Sequence, residues 1–320
     1  MPSPQPSDSP LARAMVSRFP VVFADFRSID RFLYRIRDIH DLPELVQPDL
    51  LERLDECHLY MICKRPRLSV VPESISWSEE YVYLKVHCSI RGITHEAKVE
   101  IQRDDGKRAA SFVASPFPHR ELLALKDDGS TLSQMLFANM AHLIETLPPF
   151  ARQLEVLYIG KGLAKNTQDR LKSHSTLQKV LAQINSDDPE TEVFALVYKF
   201  DYRRTVGGLV KHDADKVRVL NLRHTIPPYR PSLDDQISLV EACAISYFKT
   251  DQYNTHYINF PAATTDASRR ASSAQTEFLL VQIDNENIGG LEIYSREVAP
   301  ASTHYIEHSI APQSGRGAAH

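Results

Sequence analysis

The chain has 320 residues, 42% of them hydrophobic, and a formal net charge of −4, enough for one large domain or two ordinary ones around a sizeable core. The mild negative balance argues against coating nucleic acid through bulk charge, though it leaves room for a local basic groove. No stretch approaches the roughly 18 apolar residues of a membrane span, the polar MPSPQPSDSP start has no apolar signal core, and Cys57, Cys63, Cys88 and Cys243 form no CxxC pair; a soluble cytoplasmic protein without zinc site or disulfide framework is expected.

Residues 1–18 read as a disordered tail, and so do residues 313–320. From Val21 to about Ile62 the spacing of Ile29, Phe32, Leu33 and Ile36, and then of Leu50, Leu51 and Leu54, predicts helix, and LYMIC after it reads as a strand. YVYLKVHCSIRG, THEAKVEIQRDDG and SFVASPF, with turn signals at Gly92 and at Asp104-Asp105-Gly106, predict an antiparallel meander, with Trp77, Tyr81 and Tyr83 as packing aromatics. SQMLFANMAHLIETL predicts a helix stopped by Pro148-Pro149. Residues 19–150 thus read as an N-terminal α+β region, for substrate selection or partner binding.

Residues 151–262 read as a compact α/β unit: strand LEVLYIG, a turn, a helix over about 167–184, strand EVFALVYKFD, a basic connection, a helix over about 233–249, and the loop TDQYNTHYINFP. Residues 263–275 read as a linker, and 276–312 as a β-hairpin around Asn287-Ile288-Gly289-Gly290. The expected class is α+β: an N-terminal helix plus antiparallel β-meander region, a small α/β domain and a C-terminal β-hairpin.

Tyr158-Ile159-Gly160 runs straight into Lys161-Gly162. Glycine lets the backbone turn tightly there, and a lysine in such a turn suits a phosphate, although a strand ending at glycines is common. Asn166 as a cap, with Asp169 three residues on, places Arg170 and His174 on one helix face. Arginine offers a fork for phosphate and histidine a proton near neutral pH; the alternative is a solvated face. After Ser232 the stripe Leu233, Ile237, Ala244, Ile245, Phe248 puts Glu241, four residues from both Ile237 and Ile245, on the buried face. A buried carboxylate is costly unless paired or metal-bound; the alternatives are an arginine partner or snorkelling to water. Tyr253-Asn254 follows thirteen residues after Glu241.

Together, Tyr158-Ile159-Gly160, Arg170, His174, Glu241 and Asn254, in this order and spacing, resemble the GIY-YIG endonuclease superfamily over about 154–262. The family's first signature strand is missing from the usual interval, which here is LIETLPPFARQ; Leu59-Tyr60-Met61 would supply it if the meander were an insertion, and Tyr60 is otherwise a core tyrosine of a separate N-terminal domain. The resemblance implies a GIY-YIG-like domain at 151–262 and metal-dependent phosphodiester hydrolysis with Mg²⁺, for which Mn²⁺ substitutes. It gives Glu241 the metal, Arg170 charge on the phosphoryl oxygens, and Tyr158 or Tyr60 the attacking water. It gives His174 a proton relay, Asn254 the orientation of the site, and Lys161 a backbone phosphate.

Local charge supports a polyanion: residues 151–180 hold six basic against two acidic side chains, and residues 202–230 seven against two. Lys161, Lys165, Lys172, Arg203 and Arg204 are the expected nucleic-acid contacts. DNA is placed ahead of RNA as partner, no membrane is expected, and a homo-oligomer or a regulatory protein partner is compatible with the chain. Bacterial defence against foreign DNA is one setting for such a nuclease. The other readings are an inactive nucleic-acid-binding relative and a protein-interaction module in which Glu241 is merely salt-bridged.

Overall fold

The computed structural model describes residues 9–17, 21–103, 108–162, 175–207, 229–262 and 264–310. In chain order, α1 (Pro10–Ser17) leads into β1 (Val21–Arg35), followed by α2 (Leu42–Leu45), α3 (Pro48–Asp55) and β2 (Leu59–Pro66). Next come β3 (Leu68–Val70), β4 (Ser76–Trp77), β5 (Tyr81–Ile90), β6 (Ile93–Gln102), β7 (Ser111–Ala114), β8 (Glu121–Leu125), β9 (Thr131–Leu136), α4 (Phe137–Met140) and α5 (Pro149–Arg152). The remainder is β10 (Leu154–Lys161), α6 (Ser175–Asp187), β11 (Thr191–Gly207), α7 (Leu233–Phe248), α8 (Asp266–Ser273), β12 (Phe278–Asp284), β13 (Ile293–Tyr294) and β14 (Thr303–Ser309).

A seven-stranded mixed sheet in the order β13-β10-β2-β11-β1-β12-β14 organises the molecule. The pairs β10/β2, β2/β11, β11/β1 and β12/β14 are antiparallel, while β1/β12 and β10/β13 are parallel. Its central strands, such as LYMICK and VFALVY, are continuous apolar runs because both faces are covered. On one face Met61, Cys63, Ile159 and Leu196 pack with residues of α7 such as Leu239 and Phe248. On the other, Tyr60, Ile62 and Ala195 pack with Leu177, Val180 and Ile184 of α6.

Everything from β3 to α5 lies between β2 and β10, which are neighbours in this sheet. Those elements form a four-stranded and a three-stranded sheet around a core of their own that includes Val86, Phe112, Leu122 and Phe137.

This architecture corrects the expected fold class. The predicted N-terminal helix is a strand over Val21–Arg35, paired with β11 along its whole length. The misleading spacing has a local cause: the register shifts between Ser28 and Asp30, so Ile29 sits on a bulge and is 50% exposed. An extra residue of this kind breaks a period of two and imitates a period of 3.6. SQMLFANMAHLIETL divides into the end of β9, α4 and a 3₁₀ turn at Ala141–Leu143. The predicted C-terminal hairpin is also replaced, because β12 pairs with β14 and β1 while β13 adds to β10 at the opposite edge. Strands from residues 21–66, 154–207 and 278–309 interleave in one sheet, so no small α/β domain stands apart from them. Within the expected linker, Thr265 caps α8 in a reciprocal box with Ser268.

Candidate functional site

β10 carries a bulge between Val156 and Tyr158, and this shift in phase decides what each later residue faces. Leu157 and Tyr158 both turn to the α6 face, whereas Ile159 packs on the α7 face. Gly160 lies in the strand opposite Tyr60, so it does not serve as a turn. It makes room instead: a Cβ at residue 160 would lie 2.5 Å from both Cζ and Oη of Tyr60 and 2.9 Å from Cε1 of Tyr158. The two tyrosine rings thereby meet with centroids 6.0 Å apart, and Tyr60 is fully buried.

Asn254 is buried at the outer edge of the same strand. Its Nδ2 donates to the Ile159 carbonyl at 2.8 Å, and its Oδ1 accepts from the Ile159 N–H at 3.1 Å and from Thr250 Oγ1 at 2.8 Å. One side-chain amide thus does what a neighbouring strand would do for Ile159, past the point where the β13 pairing ends at Glu155. Asn254 is a positioning residue that fixes where Gly160 and Lys161 lie.

Lys161 ends β10 and reaches α7. Its Nζ donates to Asp234 Oδ1 at 2.8 Å and to Ser238 Oγ at 2.5 Å. Ser232 starts that helix by accepting the Asp235 N–H at 3.2 Å. Asp234, Ser238 and Glu241 follow at i, i+4 and i+7, so they share one face. Glu241 is buried, as are all residues from Ile237 to Ser246. Burial pushes the Tyr257 phenol up, Glu241 adds to that rise, and Lys161 opposes it, so the phenol lies in the field of both groups. The Asp234–Ser238–Glu241 spacing was visible in the sequence as a polar line on an apolar helix; nothing there pointed to Tyr257.

α7 is also tied to α8. Arg270 Nε donates to Asp235 Oδ2 at 2.9 Å, and its Nη2 bonds Oδ1. This guanidinium holds the Asp235 carboxyl below its usual range, against the opposing effect of burial. A depressed folded-state pKa gives stability that is present above the unfolded value and lost as pH falls through the folded one. Asp235→Asn is therefore expected to lower the urea midpoint at pH 7 and to bring variant and parent together on acidification below the ordinary carboxylate range. A constant gap down to pH 2 would contradict this.

Of the residues singled out from sequence, Tyr60 and Tyr158 come together on the α6 face, and Asn254 fastens the strand between them and Lys161. Glu241 comes from α7 on the opposite face, one turn past the Ser238 that Lys161 bonds. Arg203 pairs with Asp201 at 3.2 Å, and Arg204 bonds the Ala274 carbonyl and lies over the Tyr229 ring. Arg170, His174, Lys165 and Lys172 lie outside the described residues. Among the described residues there is no group of three or more His, Cys, Asp or Glu that could hold a metal ion. No helix among them is long and apolar enough to cross a membrane.

No protein-family model matches the chain. Among curated proteins it is similar to triosephosphate isomerase from Chlamydia caviae, 31% identical over 130 residues, which are 40% of this chain and 48% of that protein. The chain thus spans about half the length of the curated relative it matches. No solved structure matches.

These findings correct the functional expectation. The relative found is an isomerase, the sheet is a seven-stranded mixed one, and the described residues lack a metal cluster. The GIY-YIG resemblance is set aside, and with it the metal-dependent endonuclease, its hydrolase class and its inactive relative. The parallel pairs β1/β12 and β10/β13 use the pairing found throughout a (β/α)₈ barrel, and the four antiparallel pairs make this sheet a mixed one.

Proposed function

We propose that the chain is an acid–base enzyme that recognises a phosphate ester at the Lys161 end of β10. The observation that carries this is the Lys161 end of β10, where the ammonium bonds the Ser238 hydroxyl, the buried Glu241 lies one turn further along the same helix, and the Tyr257 phenol feels the charge of both. Asp234, the present partner of Lys161, is 63% exposed, and an exposed ion pair is worth little. A phosphate dianion can therefore replace it on the ammonium and accept from Ser238. Glu241 is placed to accept a proton from the bound ligand. Mg²⁺ or Mn²⁺ is proposed as the counter-ion of the bound phosphate, held by its oxygens and by water and not by Glu241, whose carboxylate is kept for the proton.

The similarity to triosephosphate isomerase, whose name specifies a triose phosphate, supports a small phosphorylated ligand. Nucleic acid offers the same chemistry in polymeric form. Binding of a triose phosphate, a DNA oligonucleotide and an RNA oligonucleotide, each with Mg²⁺ and with EDTA, separates these sources. Lys161→Ala is expected to weaken the true ligand roughly tenfold, about the worth of one charged hydrogen bond. A polymer would lose affinity steeply with salt. With triose phosphate in D₂O, proton NMR should show exchange of a carbon-bound proton that Glu241→Gln abolishes. Failure of all three ligands to bind, or binding indifferent to Lys161, would defeat the reading. The four cysteines are buried, and a reducing compartment, with a second copy or a regulatory protein as partner, belongs to the same proposal.

A further inference from the structure

A second concentration of charge lies away from Lys161, where the turn after β1, the β2–β3 junction, the start of β8 and α6 meet. Arg35 is buried and already bound: its Nε and Nη2 donate to Asp38 at 2.6 and 3.0 Å, and Glu121 and Glu192 stand at 3.8 Å. Arg120 Nη1 donates to the buried Glu192 at 3.0 Å, and Arg67 Nη2 to the Thr191 carbonyl at 3.0 Å. The Nε groups of Arg67 and Arg120 are buried and find no hydrogen-bond partner among the described residues. Arg37 is 58% exposed and stands 3.7 Å from Asp38. Burial lowers the Arg120 pKa, Glu192 opposes that, and Arg67, Arg37 and Arg35 lower it further, so positive charge is in excess around this guanidinium.

Arg37, Arg67, Arg120 and Glu192 line a cavity of about 330 Å³. Four arginines (Arg35, Arg37, Arg67 and Arg120) against three carboxylates (Asp38, Glu121 and Glu192) leave a net charge of +1, with three of the arginines lining the cavity, and this excess favours an anion. Planar guanidinium forks match phosphate geometry. The cavity exceeds what a bare phosphate fills and sits at the low end of the ~300–1,000 Å³ typical of small-ligand sites. Its far side, from Leu177, Leu181 and Val193 with the amides of Gln178 and Asn185, offers an apolar wall with hydrogen-bonding groups.

We propose that this cavity binds an organic phosphate monoester of nucleotide size, with the phosphate on Arg37, Arg67 and Arg120 and the organic body against α6. The site is separate from the Lys161 cluster and does not rest on it. Calorimetric titration of the full chain with adenosine monophosphate, adenosine and inorganic phosphate tests it. One molecule of the monophosphate should bind, at least tenfold more tightly than either fragment. Arg37→Gln, which alters an exposed side chain, and Arg67→Met should each weaken it about tenfold, while Lys161→Ala leaves it unchanged. The assignment is overturned if wild-type protein fails to bind the monophosphate, if adenosine or inorganic phosphate binds equally well, or if the folded Arg37→Gln protein keeps full affinity. Loss of binding in Lys161→Ala would also overturn it, by placing the ligand at the other site.

Discussion

Gly160→Ala is expected to destabilise the protein by about 2–3 kcal/mol, the upper part of the range for overpacking a filled core. The new methyl would stand 2.5 Å from the tip of Tyr60, well inside contact distance. An aromatic tip can often swing aside, but Tyr60 has no exposed surface and is packed in one core with Ile62, Leu157, Val197 and α6. Either the ring leaves its rotamer or the two central strands move apart. A double-mutant cycle with Tyr60→Leu tests the cause: the smaller side chain opens space, so the two costs should sum to less than additivity by roughly 1 kcal/mol or more. Urea denaturation of the four proteins reads this directly. A neutral Gly160→Ala would show that the ring does not cover the glycine.

The second large effect is expected at Asn254. Asn254→Leu keeps the approximate volume and removes every polar atom, leaving both backbone groups of Ile159 without their side-chain partner at a buried position. At about 1–3 kcal/mol for each stranded group, the loss should reach roughly 3 kcal/mol, with faster hydrogen exchange of the Ile159 amide. Asn254→Asp separates the two bonds. A carboxylate still accepts from the Ile159 N–H but faces the Ile159 carbonyl with negative charge, whereas a protonated one can donate to it. That raises the folded-state pKa of the new group, so its stabilising form is present at low pH and lost as pH rises through that value. The Asn254→Asp protein should regain part of its deficit on acidification, and the Leu variant should not.

What could be read in the sequence followed from how local each signal was. Ser232 and the apolar face of α7 were legible because a cap and a helical stripe are written within one element. β1 was not, since the bulge at Ser28–Asp30 rephases its pattern and its pairing partners lie far along the chain. Glu241 could be placed on a buried face from spacing alone, whereas Tyr257, whose phenol its charge pushes up, comes from a separate loop. Gly160 misleads in sequence: glycine in a short motif suggests a turn, and its need here is the ring of a residue a hundred positions earlier. The arginine cavity is not legible in sequence because Arg37, Arg67 and Arg120 belong to three distant segments, each ordinary in its own context.

The elements from β3 to α5 close on their own core between two adjacent strands, and this sets a timetable for synthesis. On a ribosome adding about 5–20 residues per second, β1 and β2 emerge long before β10, β11 and β12, their partners. Their pairing edges stay open for roughly ten seconds or more at that speed, while the intervening lobe can already collapse. A nascent chain at this stage carries a collapsing lobe behind two unmatched strands, the form in which strand-capturing chaperones, or a second ribosome's product, would find it most readily.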